Sequence, residues 1–296
     1  MNSKKRILIL GKSGLLAQAV IRTASTSNYE VFTISRSQGF DLTRTDAGLV
    51  LEEAFKSIAP ALIFNAVGIT NLEECERNPI QAWILNVRLP ALIAGLANQN
   101  KCPWVHISTD HFFNGDENLL HSENETPKPP NEYALSKLAG EAISLSSPTA
   151  FVIRTNIIGK RGWADQPNFA EWAINCLNEH APFDAYTDTW ASSIEVNQFA
   201  KLALKLAESG QTGLMNLACS VSISKADLIK KIAVQSGLST KYLKEIKTPA
   251  AAFGRPRRAN AMGLDCTKAQ KCLYAMGLSL PDADEVVSAL IQSFSE

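Results

Sequence analysis

Net charge is the first property that this chain of 296 residues lacks. Lysine and arginine together number 29, and aspartate and glutamate also number 29, so the formal net charge is zero. Proteins that bind nucleic acids or acidic membranes usually carry an excess of basic residues. The balance therefore predicts no nucleic-acid partner.

Targeting and membrane-spanning segments are also absent from the pattern. The first six residues include three basic ones, but the apolar run Ile7 to Leu10 is too short for the core of a signal peptide. We identify no apolar stretch that approaches the roughly 20 residues of a membrane span. The sequence predicts a cytoplasmic protein without a membrane partner.

Residues that hold structural metals are few and scattered. There are four histidines and six cysteines, and no two cysteines form a C-x-x-C pair. Structural zinc sites need four such ligands at short, repeated spacings. We expect no metal site, and we interpret the cysteines as reduced thiols.

What the chain does have is a regular alternation of short apolar runs with helical segments. Runs such as Arg6–Leu10, Ala61–Asn65, Trp104–Ser108 and Ala150–Arg154 suit strands that are buried on both faces. Helices are predicted for Leu15–Ser25, Pro79–Asn98 and Ile194–Glu208. The alternation predicts an α/β fold with a doubly wound parallel sheet, the Rossmann architecture, which binds ligands at the carboxyl ends of its strands. Beyond residue 155 the pattern loosens into what we interpret as a smaller C-terminal substrate-binding lid.

A glycine-rich turn follows the first predicted strand. It has the form G-x-x-G-x-x-A and runs from Gly11 to Ala17. Glycines there allow a pyrophosphate to approach the backbone and the N-terminus of the next helix. The turn lacks the final G-K-[ST] of a P-loop, so it favours a dinucleotide over a nucleoside triphosphate. Cofactor contacts are expected from Gly11, Ser13, Gly14, Leu15 and Leu16.

The second predicted strand ends without the acidic residue that usually binds the ribose 2′-hydroxyl of NAD. It ends in Ser35-Arg36, and a guanidinium can pair with the 2′-phosphate of NADP. We therefore predict NADP, with NAD left open. Asp41 and Leu42 are expected to flank the adenine, although a cap on a local turn is an equal alternative for Asp41.

Small residues follow the third predicted strand, as is needed where backbone lies against a cofactor. We expect Asn65, Ala66 and Val67 to contact it. Asn86, in the helix that follows, is expected to hydrogen-bond to neighbouring strand backbone. His106 is predicted to be a hydrogen-bonded core residue.

Acid–base chemistry is indicated by Tyr133 and Lys137, which lie on one face of a predicted helix. A tyrosine has an ordinary pKa of about 10, and a neighbouring cation favours the phenolate and lowers that pKa. Thr109 lies upstream and has a hydroxyl suited to orient a substrate oxygen. The three residues are our candidate catalytic group for a hydride transfer at a carbonyl.

The order of these motifs resembles the extended short-chain dehydrogenase/reductase superfamily and, more narrowly, the dTDP-4-dehydrorhamnose reductase family. The similarity covers residues 6 to 160 and thins out toward about 275. The segments that carry it are Gly11 to Ala17, Asn65-Ala-Val-Gly-Ile-Thr70, Asn86-Val-Arg-Leu-Pro90, Ser108-Thr-Asp-His-Phe-Phe-Asn-Gly115 and Asn131-Glu-Tyr133-Ala-Leu-Ser-Lys137-Leu-Ala-Gly-Glu141.

The resemblance implies an NADPH-dependent reductase of a nucleotide-linked 4-keto-6-deoxysugar. In such an enzyme Tyr133 donates a proton to the carbonyl, Lys137 binds the nicotinamide ribose and Thr109 orients the carbonyl oxygen. An NADP-binding domain over 1–155 and a mainly substrate-binding region over 156–296 are implied, with about 190–220 returning to the first domain. The implied substrate contacts are Thr70, Asp110, His111, Phe112, Asn156, Trp163 and Arg255.

Some residues depart from the family pattern. Asn156-Ile-Ile158 replaces a tryptophan-containing stretch, and Ser192-Ser193 stands where Pro-Thr is common, which leaves the sugar open. Two alternative functions are a nucleotide-sugar epimerase or dehydratase with bound NAD and a non-catalytic NADP-binding regulatory subunit. A homodimer is also left open.

Overall fold

The computed structural model describes residues 4–163, 165–179, 181–249 and 256–295. The chain divides into two compact units. The first unit comprises Met1–Thr109, Pro129–Arg154 and Ala200–Met215, and the second comprises Asp110–Lys128, Thr155–Phe199 and Asn216–Glu296. The functional assignment of the two sequence-derived domains stays a prediction.

The first unit is built around a six-stranded sheet. In chain order its strands are β1 (Lys5–Leu10), β2 (Tyr29–Ile34), β3 (Leu62–Asn65), β4 (Trp104–Ile107), β5 (Ala150–Arg154) and, much later in the chain, β10 (Gly213–Asn216). The spatial order is β10-β5-β4-β3-β1-β2, and the pairs from β5 to β2 are all parallel. The predicted doubly wound sheet is confirmed.

Helices connect the strands of this sheet. They are α1 (Leu15–Ser25), α2 (Ala47–Ile58), α3 (Leu72–Arg77), α4 (Pro79–Trp83), α5 (Leu89–Asn100), α6 (Glu132–Leu145) and α8 (Val196–Glu208), which begins in the second unit and ends in the first. A core of buried aliphatic side chains and Trp104 lies between sheet and helices, with Leu10, Ile63 and Ile93 among its members. Burial of this surface is the main driving force for the arrangement.

The order of the strands changes direction at β1, because β2 lies on one side of β1 and β3 lies on the other. From β1 the chain passes to β2 on one side, and β3 then pairs on the other side, with Leu10 opposite both Ile34 and Asn65. In open α/β sheets the ligand binds at such a switch point, outside the carboxyl ends of the strands. The topology therefore indicates a ligand site at Gly11 and at the residues after Asn65.

The predicted single helix from Pro79 is interrupted. A five-residue π turn, Ile84–Arg88, separates α4 from α5. Gly140 of α6 packs against this turn so closely that a Cβ at that position would lie 2.0 Å from the carbonyl oxygen of Asn86. Single π turns often occur at functional sites.

The stretch Pro79–Asn100 is long and apolar enough to meet the length and composition test for a membrane span, which corrects our expectation that no stretch approaches one. Core helices of soluble proteins pass the same test. Leu89, Ile93 and Ala97 of this stretch pack into the core beneath the sheet. Their burial accounts for part of the apolar composition.

The second unit contains short strands and several helices. Its strands are β6 (Asn156–Ile158), β7 (Phe183–Tyr186), β8 (Trp190–Ala191), β9 (Ser193–Glu195), β11 (Ile223–Ser224), β12 (Leu243–Ile246) and β13 (Ala261–Met262). Its other elements are α7 (Phe169–Glu179), α9 (Lys225–Ser236), α10 (Thr267–Tyr274) and α11 (Ala283–Ser295). A separate apolar core includes Leu177, Ile229, Ile232 and Val287.

Several short elements were not predicted. The predicted helix from Ile194 begins only at Val196, because Ser193–Glu195 pairs as a strand with Asn156–Ile158. The central strand β8 pairs with β11 on one side and β13 on the other. Strands of two or three residues leave no periodic signal in a sequence.

Candidate active site

The glycine turn after β1 has the backbone geometry that a dinucleotide cradle needs. Gly11 has a φ of 101°, which favours glycine, and its N–H donates to the carbonyl of Ile34 at 2.8 Å. Gly14 is the N-cap of α1, which has no side-chain cap. A Cβ added at Gly14 would meet no atom within 4 Å, so open space lies at the start of the helix. The uncapped N–H groups of a helix N-terminus attract anions, and the open space at Gly14 is what a phosphate group needs to approach them.

The predicted cofactor residues of this turn lie together at the surface. Ser13 and Gly14 are exposed, and Leu15 and Leu16 are half-buried. The carbonyl of Ser13 accepts a hydrogen bond of 2.8 Å from Gln18 Nε2, which closes the turn against the helix.

Arg36 is exposed in a 3-10 turn directly after β2. Asp41 accepts hydrogen bonds from the backbone N–H (2.9 Å) and hydroxyl (2.7 Å) of Thr43. These bonds are the main cause of a lowered pKa for Asp41, and the charge of Arg36 lowers it further. The structure shows the turn-capping alternative for Asp41, and Leu42 is buried in the core. Their contacts with adenine stay predictions.

Arg88 is a residue of this region that sequence analysis missed. Its Nη2 donates to the carbonyls of Leu42 (3.3 Å), Thr43 (3.2 Å) and Arg44 (2.5 Å). One side chain from the π turn thereby fixes the loop after β2. Its place in the segment Asn86 to Pro90 was the only available signal.

The segment after β3 is held by Asn65 and Asn86. Asn65 Oδ1 accepts from Val67 N at 3.1 Å, while its Nδ2 donates to His106 Nδ1 at 3.3 Å. Asn86 bonds both backbone groups of Ile69, at 3.0 and 3.1 Å. Asn86 thus fixes the loop after the strand, which corrects the expected bonds to strand backbone.

His106 and Gly68 lie next to these two asparagines. His106 Nε2 has no hydrogen-bond partner among the described residues, so only one of its ring nitrogens fits the prediction of a bonded core histidine. A Cβ added to Gly68 would lie 2.9 Å from Asn86 Oδ1 and 3.8 Å from Lys137 Nζ. Ala66 and Val67 are half-buried beside Gly68.

Tyr133 lies in the first turn of α6. The helix begins there because Asn131 Oδ1 accepts from Ala134 N at 2.8 Å, a standard N-cap. The tyrosine is 9% exposed and packs with Cys75 and Ala82, against which Ile69 also packs. Burial raises the pKa of the Cys75 thiol to about 11. The ring of Tyr133 is therefore packed among apolar neighbours and only slightly exposed.

Lys137 follows one helical turn after Tyr133 and is almost fully buried. Its Nζ donates to the carbonyl of Ile107 at 2.5 Å. Burial lowers its pKa from 10.5 to about 8, while Glu141 and Cys75 act in the opposite direction. The same burial, together with the charge of Lys137, holds the pKa of His106 well below 6.5. The hydrogen bond to Ile107 thus holds the ammonium group of Lys137, and its positive charge, at a fixed position on α6.

Thr109 is buried and follows Ser108 at the end of β4. Ser108 Oγ donates to Glu141 Oε2 at 2.7 Å, and Arg154 donates to the same carboxylate from Nε (3.0 Å) and Nη2 (2.6 Å). This pair of buried charges lies one helical turn beyond Lys137. Sequence analysis noted Arg154 as a strand end and Glu141 as a motif residue, without connecting them.

In the second unit, two of the predicted substrate residues are joined. Asn156 Nδ2 donates to Asp110 Oδ2 at 2.6 Å, and Asn156 Oδ1 accepts from Ser193 Oγ at 2.8 Å. Ser193, a departure from the family pattern, therefore orients the amide of Asn156. Asp110 is 3% exposed.

His111 and two unpredicted cations form a basic group in the second unit. His111 Nε2 accepts from Ala259 N at 3.2 Å. Burial, followed by the charges of Lys225 and Arg258, lowers the pKa of His111 to about 4. Burial and Arg258 also lower the pKa of Lys225 to about 8.

The remaining predicted substrate residues are dispersed. Phe112 is completely buried and packs edge-on against Phe113, with ring centroids 6.3 Å apart. Trp163 is exposed beneath the guanidinium of Arg161, 4.3 Å from its ring centroid. Thr70 is exposed after the loop that Asn86 holds. Arg255 lies outside the described residues.

No group of three or more histidine, cysteine, aspartate or glutamate side chains within the described part of the chain is arranged to hold a metal ion. The glycine turn, by contrast, fits a dinucleotide. It combines the left-handed Gly11, the open space at Gly14 and an exposed arginine at the end of β2.

Comparison with known proteins agrees with this geometry. The family model described as RmlD substrate binding domain matches residues 5–295. The probable low-salt glycan biosynthesis reductase Agl14 of Haloferax volcanii is 26% identical, over 97% of this chain and 98% of its own. A dTDP-4-dehydrorhamnose reductase of Sinorhizobium fredii is 24% identical, over 97% and 96% of the two chains.

The fold is likewise shared with a solved structure. The dTDP-4-dehydrorhamnose reductase of Bacillus anthracis, in complex with NADP, superposes with a TM-score of 0.84 at 21% identity, covering 98% of this chain and 99% of its own. A further relative, methionine adenosyltransferase 2 subunit beta of Danio rerio, is 26% identical over 93% of this chain and 86% of its own.

Proposed function

Because the chain belongs to the RmlD substrate-binding-domain family, we propose that it is an NADPH-dependent reductase of a nucleotide-linked 4-keto-6-deoxysugar. The observation that carries this proposal is the pairing of Tyr133 with a buried Lys137 one turn later on α6. A phenol can supply the proton to a carbonyl, and a neighbouring cation stabilises the phenolate that remains. The relatives named as reductases support the substrate class.

Tyr133 donates the proton in this proposal. The ring of Tyr133 packs among Cys75, Ala82 and Ile69, and these apolar neighbours exclude water where they contact it. The phenol oxygen becomes negative as the proton leaves for the sugar carbonyl, and the ammonium of Lys137 stabilises that charge. Thr109 lies two residues after Ile107, whose backbone carbonyl accepts a hydrogen bond from Lys137. The hydroxyl of Thr109 donates a hydrogen bond to the carbonyl oxygen of the sugar and thereby orients it.

NADPH, when bound, supplies the hydride, so that C=O becomes CH–OH with the proton from Tyr133. We assign the diphosphate to the turn of Gly11, Ser13, Gly14, Leu15 and Leu16. The 2′-phosphate is assigned to Arg36, with Ser35, Asp41 and Leu42 near the adenosine. Asn65, Ala66 and Val67 would lie against the cofactor, and Lys137 would hold the nicotinamide ribose.

For the sugar we propose a polar group in the second unit built from Asp110 and Asn156, whose orientations are fixed by their mutual bond. Thr70, His111, Phe112, Trp163 and Arg255 remain proposed contacts. We further propose a cytoplasmic enzyme without a nucleic-acid or membrane partner, and sedimentation tests whether it forms a homodimer.

The direct test is a panel of nucleotide-linked 4-keto-6-deoxysugars, with consumption of NADPH recorded and the C4 configuration of the product determined. We expect turnover with at least one ketosugar, and faster turnover with NADPH than with NADH. Tight NADPH binding without turnover of any panel member would contradict the proposal.

A regulatory subunit is the second candidate, and the similarity to methionine adenosyltransferase 2 subunit beta favours it. In that function the chain binds NADP but Tyr133 has no catalytic task. The same panel separates the two functions, since a purely regulatory chain leaves every ketosugar unreduced. A bound-NAD epimerase or dehydratase is disfavoured by Arg36 at the end of β2.

A further inference from the structure

A buried carboxylate on α6 joins three elements around the proposed catalytic group. Glu141 accepts from Ser108 Oγ and, through two bonds, from Arg154. The side chains of Arg154 and Glu141 are only 3% and 4% exposed. The three groups therefore form a closed hydrogen-bonded unit away from solvent.

The donors to Glu141 come from the carboxyl ends of two adjacent strands. Ile107 of β4 lies opposite Ile153 of β5, and Ser108 N donates to the carbonyl of Ile153 at 2.7 Å. Ser108 directly follows Ile107, and Arg154 directly follows Ile153. Glu141 thus ties both strand ends to the helix that carries Tyr133.

The tied segment is the one that serves the proposed chemistry. Ile107 supplies the carbonyl that accepts from Lys137 Nζ, and Thr109 follows Ser108 directly. If Ser108 moved, the lysine anchor on one side and the threonine hydroxyl on the other would both move.

Stability alone is a weak reason for such an arrangement. Taking two charges out of water costs several kcal/mol for each ion, and apolar replacements of buried ion pairs are often neutral or stabilising. A positioning task accounts better for a buried pair at this place.

The charges around Lys137 point the same way. From α3 it faces the neutral thiol of Cys75, from β4 the neutral imidazole of His106, and on its own helix Tyr133 and Glu141. Arg154 of β5 forms an ion pair with Glu141. Glu141 is the one carboxylate among these groups that supports the ammonium against its burial.

We propose that Glu141 is a positioning residue for the proposed reduction: its carboxylate fixes the segment Ile107 to Thr109 against α6 and, one helical turn after Lys137, supports the ammonium group there. The proposal rests on the proposed function, because it assigns a task to residues of that same site. It adds a residue that contacts neither cofactor nor substrate.

The charge part is tested by 13Cε-lysine NMR of the full chain, with the Lys137 signal assigned from Lys137→Met. Glu141→Gln is expected to lower the titration midpoint of Lys137 by about one pH unit. Because Glu141→Gln removes the carboxylate that neutralises the buried charge of Arg154 and can unfold the chain, the double variant Glu141→Gln/Arg154→Met is measured beside it. An unchanged midpoint in the folded double variant overturns the charge part.

The positioning part is tested by Ser108→Ala, which keeps the ion pair. Its matched control is Ser144→Ala, which removes a buried serine bond (to the Gly140 carbonyl, 2.7 Å) on the same helix. We expect kcat to fall about tenfold in Ser108→Ala, and no loss of kcat in the control. Equal kcat values in the two variants overturn the positioning part.

The pH profile separates this role from a general loss of structure. The alkaline limb of kcat in the double variant is expected to shift to lower pH with the Lys137 midpoint, whereas structural damage lowers kcat equally at every pH. If the wild-type chain reduces no ketosugar, the proposed function fails, and the NMR midpoint still decides whether Glu141 keeps Lys137 charged.

Discussion

Replacement of Gly140 by alanine should disrupt the contact between α6 and the π turn. An added Cβ would lie 2.0 Å from the carbonyl oxygen of Asn86 and 3.2 Å from its carbonyl carbon. Real Cβ atoms do not approach backbone this closely, so the helix or the turn must move by about 1 Å. Asn86 also holds Ile69 and Ser136, so the movement reaches the loop after β3.

The expected magnitude follows from two opposing effects. Alanine is about 1 kcal/mol better than glycine in a helix interior. Overpacking a tight contact costs about 1–3 kcal/mol and sometimes more, and a clash with backbone is at the upper end of that range. We therefore expect Gly140→Ala to lower the free energy of unfolding by about 2 kcal/mol.

The assay is urea unfolding followed by circular dichroism. The matched control is Gly95→Ala in α5, where an added Cβ would meet no atom within 4 Å. The control should be as stable as the wild type or more stable by up to about 1 kcal/mol. If Gly140→Ala matched Gly95→Ala, the close packing of α6 on the π turn would be refuted.

Three further predictions concern the cofactor, a helix cap and pH. Arg36→Ala should raise the KM for NADPH about tenfold or more and leave that for NADH nearly unchanged, because a charge-assisted bond to the 2′-phosphate is lost; equal effects, or the same effect in Arg44→Ala, would refute the assignment. Ser224→Ala should destabilise by about 1 kcal/mol in urea unfolding, because Ser224 Oγ caps α9 at 3.0 Å; no loss would refute the cap. His111 has a folded pKa of about 4, below its unfolded value, so its contribution to stability is present above pH 6.5 and is lost as the pH falls toward 4. Between pH 6.5 and 4, the free energy of unfolding should therefore fall less in His111→Gln than in the wild type. Equal falls in the two proteins, measured by urea unfolding at each pH, would count against this role of His111.

The parts of the fold that the sequence predicted well are those with local causes. Helix α1 and strand β5 begin and end where predicted, at Leu15–Ser25 and Ala150–Arg154. Each has an apolar pattern that depends only on its own residues, and α1 follows a glycine turn. Burial on both faces of the sheet makes such runs recognisable.

The parts that were missed depend on distant partners. Ser193–Glu195 forms a strand because Asn156–Ile158, far away in the sequence, pairs with it. The π turn at Ile84–Arg88 packs closely against Gly140 of a helix more than fifty residues later in the sequence. Neither cause is visible within a window of ten or fifteen residues.

The same distinction applies to the candidate site. The glycine turn and the spacing of Tyr133 and Lys137 follow from the sequence itself. The carbonyl partner of Lys137 comes from residue 107, and the anchoring of Arg88 on the loop at 42–44 joins segments more than forty residues apart. Such contacts follow from the register of the sheet, which one sequence does not give.

The central claim is that Tyr133 protonates the carbonyl of a sugar. Its most direct test is steady-state NADPH oxidation by Tyr133→Phe with the best ketosugar of the panel, beside NADPH binding by the same variant and Tyr274→Phe at an exposed position as the control. We predict a fall in kcat of about 10²- to 10⁴-fold, with the Kd for NADPH nearly unchanged and the control fully active. Wild-type turnover by Tyr133→Phe would contradict the claim.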